Sequence, residues 1–212
     1  REQGISDLLP SADVVVFDEA HQLPAVATRF LGQMLSTAQI LDLDKQSEAL
    51  GLAHAREVVR WTQLAGAVTQ AVKDWRLSLD WVHQRANHRA VVRDLLDDEG
   101  SVQALQALAH ALNALTQALN DNAERHIDIA TLARTAQSVG VRLADWLAHV
   151  QSSGPDPDTL DRVYWLDTTA AGVRLNVAPL SIASAFSPER QAGQAWVFVS
   201  ATLSVKGDFT HF

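Results

Sequence analysis

The sequence predicts a mainly α-helical chain with a small α/β part, and two observations lead to that fold class. Two short apolar segments, residues 14–17 and 195–199, resemble buried strands of a parallel sheet. Between them lies a long stretch rich in Ala, Leu, Gln and Arg. A parallel crossover needs only about a dozen residues. We therefore expect a helical-bundle insertion between two parallel strands, followed by a β-hairpin.

The composition indicates a globular protein and excludes several classes of site. The 212 residues are 47% hydrophobic and 20% charged, and no apolar run approaches the roughly 20 residues that span a bilayer. A cytoplasmic protein without a membrane partner is therefore expected. The absence of cysteine excludes disulfides and thiolate-held metals or iron–sulfur clusters within these residues. The net charge of −8 predicts that any nucleic-acid contact is local.

Three zones are expected: residues 1–23, 24–154 and 155–212. In the middle zone, a leucine stripe with alternating spacings of three and four predicts a core-facing helix; its members are Leu105, Leu108, Leu112, Leu115 and Leu119. Ser101 is a predicted N-cap for that helix. Further helices are predicted at 128–150, 52–75, 36–50 and 82–96, giving a bundle of about four to six helices. The stripe could also form a dimer seam, but internal packing is the better interpretation for one this short.

The closing zone begins with a segment that should end any helix, because residues 152–157 contain Gly154, Pro155 and Pro157. Residues 162–167 and 173–178 are predicted to form a β-hairpin with a longer loop, since apolar and polar residues alternate in the second strand. A short helix is predicted around 181–191. The chain starts without Met and stops soon after a strand, so we expect an excised fragment.

Polar residues follow both parallel strands. Asp18, Glu19 and His21 come directly after the first strand, and Ser200, Ala201 and Thr202 come directly after the last. Parallel sheets bind ligands outside the carboxyl ends of their strands. Either group alone could be an ordinary turn. Together and in this order, they predict a functional site.

The pair Asp-Glu-Ala-His and Ser-Ala-Thr, each behind a strand, resembles motifs II and III of superfamily 2 helicases. The long helical insertion between them resembles the Arch domain of the XPD-like branch. The sequence of residues 195–212 is most similar to that of the bacterial DinG/YoaA group. The resemblance implies an incomplete RecA-like motor domain from an ATP-dependent 5′ to 3′ DNA helicase with a role in DNA repair or replication stress.

By the same resemblance, Asp18 would hold Mg²⁺, Glu19 would polarise the attacking water, and His21 would communicate with Ser200 and Thr202. No Gly-x-x-x-x-Gly-Lys-[Ser/Thr] loop occurs in these residues, so the chain alone is expected to be inactive. In relatives that carry an iron–sulfur cluster, its cysteines precede motif II. These residues therefore neither support nor exclude an iron–sulfur cluster in a longer parent protein.

One segment combines cations with aromatic rings, as single-stranded DNA sites do. It runs over residues 73–93, and its predicted DNA-contacting residues are Lys73, Arg76, Arg85, Arg89 and Arg93. The arginines at 85, 89 and 93 have the i,i+4 spacing of one helical face. The alternative is a solvated helix whose tryptophans, Trp75 and Trp81, belong to the core.

Two other functions stay open at this stage. Residues 25–160 contain 12 Lys and Arg against 16 Asp and Glu, a net charge of −4, which favours a helical module that binds a protein partner instead of DNA. The other open function is that of a nuclease-like relative of the helicases, because no feature of the sequence indicates that the protein separates DNA strands.

Overall fold

The computed structural model describes residues 12–23, 26, 32–151, 162–179 and 195–200. The predicted break at 152–157, the predicted helix at 181–191, and Ala201 and Thr202 lie outside these residues. The strands are β1 (Val14–Phe17), β2 (Gln33–Ser36), β3 (Arg89–Val91), β4 (Arg162–Thr169), β5 (Gly172–Pro179) and β6 (Ala195–Phe198). The α-helices are α1 (Thr37–His54), α2 (Trp61–Ser78), α3 (Asp80–His83), α4 (Val92–Leu96), α5 (Glu99–Asp121) and α6 (Ile127–Gln151).

The chain forms two compact units. The first takes in residues 1–33, 160–163 and 178–212, and the second takes in 34–159 and 164–177. Most described residues are helical, so the mainly α prediction is confirmed. The hairpin residues 164–177, which the sequence grouped with the closing zone, belong to the same unit as the helices. None of the described helices is long and apolar enough to cross a membrane.

In the first unit, β1 and β6 are parallel, as predicted, and they are also neighbours, which the sequence did not establish. Val14 lies opposite Ala195, and Phe17 lies opposite Phe198. The predicted burial of these strands is wrong: Val14, Val16 and Val197 are exposed. Among the residues that the structure describes, no helix or further strand covers these two strands, and a two-stranded ribbon alone cannot bury both of its faces.

The second unit is built on four long helices that pack in a ring. Helix α2 packs against α1 and α5, and α6 packs against α5 and α1. All five members of the predicted leucine stripe are buried in this core. From the predicted helix at 128–150, the buried residues include Trp146 and Val150. The interpretation of the stripe as internal packing is confirmed, because α5 directs it at its neighbours.

The predicted helix at 52–75 is confirmed from Trp61 onward but wrong before it, because α1 ends at His54 and α2 begins at Trp61. The Trp61 indole accounts for the break: its Nε1 donates to the Ala55 carbonyl oxygen at 3.0 Å, and Trp61 is buried against Gly51. Val58, which the longer helix would have buried, is exposed in the connection. At the other end of α1, Ser36 and Gln39 form a capping box that fixes the helix start.

The predicted helix at 82–96 is also wrong. Residues 89–91 form β3 instead, antiparallel to β4, with Ala90 opposite Leu166 and both side chains buried. His88 has a left-handed backbone (φ 50°), and its carbonyl oxygen accepts a hydrogen bond from the Thr168 amide at 2.8 Å. Arg85, Arg89 and Arg93 therefore lie on a turn, a strand and a helix and do not share one helical face.

Ser101 is not the N-cap of its helix, because α5 begins two residues earlier, at Glu99. The Ser101 side chain is fully buried, with its hydroxyl 3.0 Å from the Ser78 carbonyl oxygen. It also accepts a hydrogen bond from Trp81 Nε1 at 3.3 Å. The serine thus links α5 to the end of α2, a tertiary role that the local sequence does not reveal.

The hairpin is confirmed, but its loop is shorter than predicted. Ala170 and Ala171 alone separate β4 from β5, and Gly172 takes a φ of 146° that side chains rarely adopt. The sheet order is β2-β5-β4-β3. Trp146 Nε1 donates to the Asn176 carbonyl oxygen at 3.3 Å, and Tyr164 donates to Asp145 at 3.2 Å. These bonds fix the sheet to α6.

Candidate active site

The acidic motif lies in a tight turn at the carboxyl end of β1. The Val199 amide donates to the Phe17 carbonyl oxygen at 2.9 Å, and the Ala20 amide donates to the Val199 carbonyl oxygen at 3.0 Å. Between these bonds, Glu19 has a left-handed backbone (φ 50°, ψ 42°), an uncommon conformation for a residue with a long side chain. The Asp18 carboxylate accepts the Glu19 amide at 2.9 Å and supports this turn. The backbone of the motif is thus fixed to the end of β6.

Three side chains meet at this edge, as the sequence predicts for strands whose polar ends are neighbours. His21 Nδ1 lies 2.7 Å from Ser200 Oγ and 3.2 Å from Glu19 Oε2. Ser200 Oγ lies 3.4 Å from the same Glu19 oxygen. A proton on His21 Nδ1 can therefore be donated to the serine or to the carboxylate. This triangle, formed by Glu19, His21 and Ser200, links the two motifs through side-chain atoms.

The turn is open to solvent, since the side chains of His21 and Glu19 are 40% and 58% exposed. Mg²⁺ is bound in many nucleotide sites by one or two carboxylates, with water and phosphate oxygens completing its shell. Asp18 and Glu19 are adjacent, exposed carboxylates that fit this donor set. Over the described parts of the chain, no group of three or more His, Asp or Glu side chains could hold a metal ion. A metal at Asp18 would need phosphate or water oxygens.

In the basic segment, two arginines are bound to carboxylates. Arg85 Nη1 lies 2.6 Å from Asp94 Oδ2, and its guanidinium stacks on Trp81 at 4.7 Å. Burial, the largest single influence, would raise the pKa of Asp94, but the hydrogen bonds from Arg85 and the Val91 amide, together with the charges of Arg85 and Arg93, lower that pKa overall. Arg89 Nε lies 2.7 Å from Asp167 Oδ1, directly across the β3–β4 ladder. Arg93 is exposed on α4.

Lys73 and Arg76 lie elsewhere, beside a cavity of about 520 Å³ in the second unit. One wall is the end of α2 with Leu77, Asp80 and His83; the other is the hairpin turn, residues 168–173 without Ala171. We call this cavity the α2–hairpin groove. Its second wall is missing from the sequence predictions, because residues 168–173 are about 90 positions away along the chain. Trp75 is buried in the core, in agreement with the alternative considered for it, and Trp81 is half-buried.

No protein-family model matches the chain. Two curated proteins are similar to it along its whole length. It is 33% identical over 221 residues to the ATP-dependent DNA helicase YoaA of Escherichia coli (strain K12) and 27% identical over 213 residues to the protein of the same name from Haemophilus influenzae. Each match covers 100% of this chain and 32% of the relative.

The chain thus spans about a third of the length of the curated relatives it matches. Their names agree with the resemblance of the two motifs to helicase motifs. That resemblance rested on a small number of residues. The full-length coverage includes the helical segment, where the sequence offered length and position alone. Over its whole length, the chain is thus similar to two proteins named ATP-dependent DNA helicase.

Proposed function

We propose that the chain is one part of an ATP-dependent DNA helicase, in which residues 1–23 and 195–212 contribute to a RecA-like motor domain. The observation that carries the proposal is the triangle of Glu19, His21 and Ser200 at the ends of two neighbouring parallel strands. Similarity to two proteins named ATP-dependent DNA helicase supports it independently. On this proposal, the parent protein is a cytoplasmic enzyme that acts on DNA and ATP.

Each motif residue then has a chemical role. Asp18 would hold Mg²⁺, which would supply positive charge beside the phosphates of ATP, and the Glu19 carboxylate would orient and polarise the attacking water. Because His21 contacts both Glu19 and Ser200, it would report the state of the carboxylate to the second strand. Ser200, Ala201 and Thr202 would couple hydrolysis to DNA movement. The chain has no phosphate-binding Gly-x-x-x-x-Gly-Lys loop, so alone it should not hydrolyse ATP.

The helical segment, residues 24–154, is proposed to guide or gate single-stranded DNA as an Arch-like insertion. Its contacts would come from Lys73, Arg76, Arg85, Arg89 and Arg93, all of them exposed. Movement in the 5′ to 3′ direction and a role in DNA repair belong to the same proposal. An iron–sulfur cluster would require cysteines, and these 212 residues contain none.

A helical module that binds a protein partner is the alternative, and its net charge of −4 over residues 25–160 favours it. It predicts that removing cations from the helical unit leaves DNA binding unchanged. A nuclease-like relative predicts strand cleavage by the parent protein. Both outcomes can be measured in the same preparations as helicase activity.

The test is substitution of Glu19 by Gln in the full-length protein, with ATP turnover measured in the presence of single-stranded DNA. The amide keeps the size of the side chain but cannot polarise water, so turnover should fall by about 100-fold or more. Asp13→Asn is the matched control, because Asp13 is an exposed carboxylate at the opposite end of β1. If Glu19→Gln and Asp13→Asn both kept normal ATP turnover, the assigned role of Glu19 would be wrong.

A further inference from the structure

The five cations of the basic segment differ in what surrounds them. Arg85 and Arg89 are each held by a carboxylate at 2.6 and 2.7 Å, and each guanidinium also lies over a tryptophan ring. A carboxylate thus partly offsets the charge of each of these two exposed arginines. By contrast, Lys73 and Arg76 form no salt bridge in the part of the chain that the structure describes, and both line the α2–hairpin groove.

The groove has a local excess of positive charge in a chain whose net charge is −8. Its lining contains Lys73 and Arg76 against one carboxylate, Asp80, which accepts a hydrogen bond from Gln84 at 2.8 Å. The Arg76 guanidinium reaches the hairpin turn, with Nη2 3.5 Å from the Ala170 carbonyl oxygen. Arginine has five N–H donors. Most of them stay available to an anion in the groove.

The same groove offers surfaces on which bases can lie. Leu77, which is 74% exposed, supplies an apolar surface on the rim of the groove. The imidazole of His83 also lines the groove and stacks on His88 with ring centroids 5.0 Å apart. Cations that follow phosphates next to apolar and aromatic surfaces are typical of single-strand sites.

We infer that the α2–hairpin groove binds the sugar–phosphate backbone of a single nucleic-acid strand, with Lys73 and Arg76 on the phosphates and Leu77 and His83 beside the bases. This inference rests on the proposed function and assigns its DNA contact to a specific site. An acidic peptide would use the two cations, whereas a nucleic-acid strand would also place a base beside the His83 imidazole, so a nucleic-acid strand is the favoured occupant.

The test measures binding of a fluorescent oligo(dT) to the full-length protein without ATP, over a range of salt concentrations. Lys73→Glu with Arg76→Glu should weaken binding about tenfold or more and reduce the slope of log K against log salt by about 1.4, since single strands release about 0.7 counterions per phosphate contact. The matched control is Arg60→Glu with Arg134→Glu, which makes the same charge change outside the groove. A separate variant, Lys73→Arg with Arg76→Lys, should bind normally.

Equal losses in the groove variant and the control would overturn the inference, because they would indicate general charge repulsion. So would an unchanged salt slope in a groove variant whose circular dichroism is normal. Displacement of oligo(dT) by a polyglutamate peptide at equal charge concentration would favour a protein partner and also overturn it. The proposed function is judged separately: its failure would appear as wild-type protein without DNA-stimulated ATP turnover.

Discussion

His21 Nδ1 lies 2.7 Å from Ser200 Oγ, although 179 residues separate the two along the chain. The contact exists because β1 and β6 are parallel neighbours in register, so the residues that follow them reach the same edge. Ala20 is fully buried, and its amide donates to the carbonyl oxygen of Val199, the residue that follows β6. A short ribbon thus brings together two motifs that the sequence separates with a helical segment.

This contact predicts that His21 and Ser200 act as a unit. In the full-length protein, His21→Ala and Ser200→Ala should each lower the amount of DNA unwound per ATP hydrolysed. The double variant should be no worse than the more damaging single one, because the effects of substituting two residues in direct contact do not add. Ser200→Thr, which keeps the hydroxyl, is the control. Additive losses would show that the two side chains work independently.

The second prediction concerns Asp44, a buried carboxylate on α1. Its Oδ2 accepts a hydrogen bond from Thr69 at 2.9 Å, whereas Oδ1 has no hydrogen-bond partner among the described residues. Burial raises the pKa of Asp44 to about 6; the Thr69 bond opposes the rise and the charge of Glu48 adds to it. In the folded state, the protonated form of Asp44 therefore persists up to a higher pH than in the unfolded chain.

The sign of the pH dependence follows from that raised pKa. Between pH 4 and pH 6 the folded state binds more protons at Asp44 than the unfolded state, so stability falls as pH rises, by up to about 3 kcal/mol. Urea unfolding of the 212-residue chain at pH 4, 5, 6 and 7 measures this. Asp44→Asn should remove the fall, while Asp42→Asn, at an exposed position on the same helix, should keep it. Identical pH profiles for Asp44→Asn and wild type would contradict the assignment.

The third prediction concerns two glycines in helices. A Cβ added at Gly51 would meet the Trp61 ring at 2.1 Å, whereas one at Gly66 meets nothing within 4 Å. Gly51→Ala should therefore destabilise the helical unit by about 1 to 3 kcal/mol through overpacking. Gly66→Ala, the matched control, should stabilise it by about 0.5 to 1 kcal/mol, since alanine favours helix. Thermal unfolding followed by circular dichroism measures both, and equal shifts would contradict the packing of Trp61 on Gly51.

The spacing of apolar residues along the chain predicted the helices and strands that bury one face. The leucine stripe of α5, the helix at 128–150 and the alternation in β5 were all visible, because one face of each element is buried. The parallel direction of β1 and β6 was predicted, whereas their pairing was not. Asp18, Glu19, His21 and Ser200 were singled out because polar residues follow both strands, and their roles stay predictions.

The errors came from contacts between distant residues. Residues 82–96 have helical character, but pairing of Ala90 with Leu166 places residues 89–91 in a sheet, and no local pattern reports that partner. The end of α1 depends on an indole six residues away from the carbonyl that it binds. Likewise, the second wall of the α2–hairpin groove comes from a hairpin whose position against α2 only the tertiary structure gives.

The most direct test of the central claim is strand separation by the full-length protein on two matched duplexes, one with a 5′ single-stranded tail and one with a 3′ tail. We predict ATP-dependent unwinding of the 5′-tailed duplex by the wild type and none by Glu19→Gln, with both proteins bound to DNA. Equal unwinding by Glu19→Gln, or cleavage of the strand in place of its separation, would contradict the account.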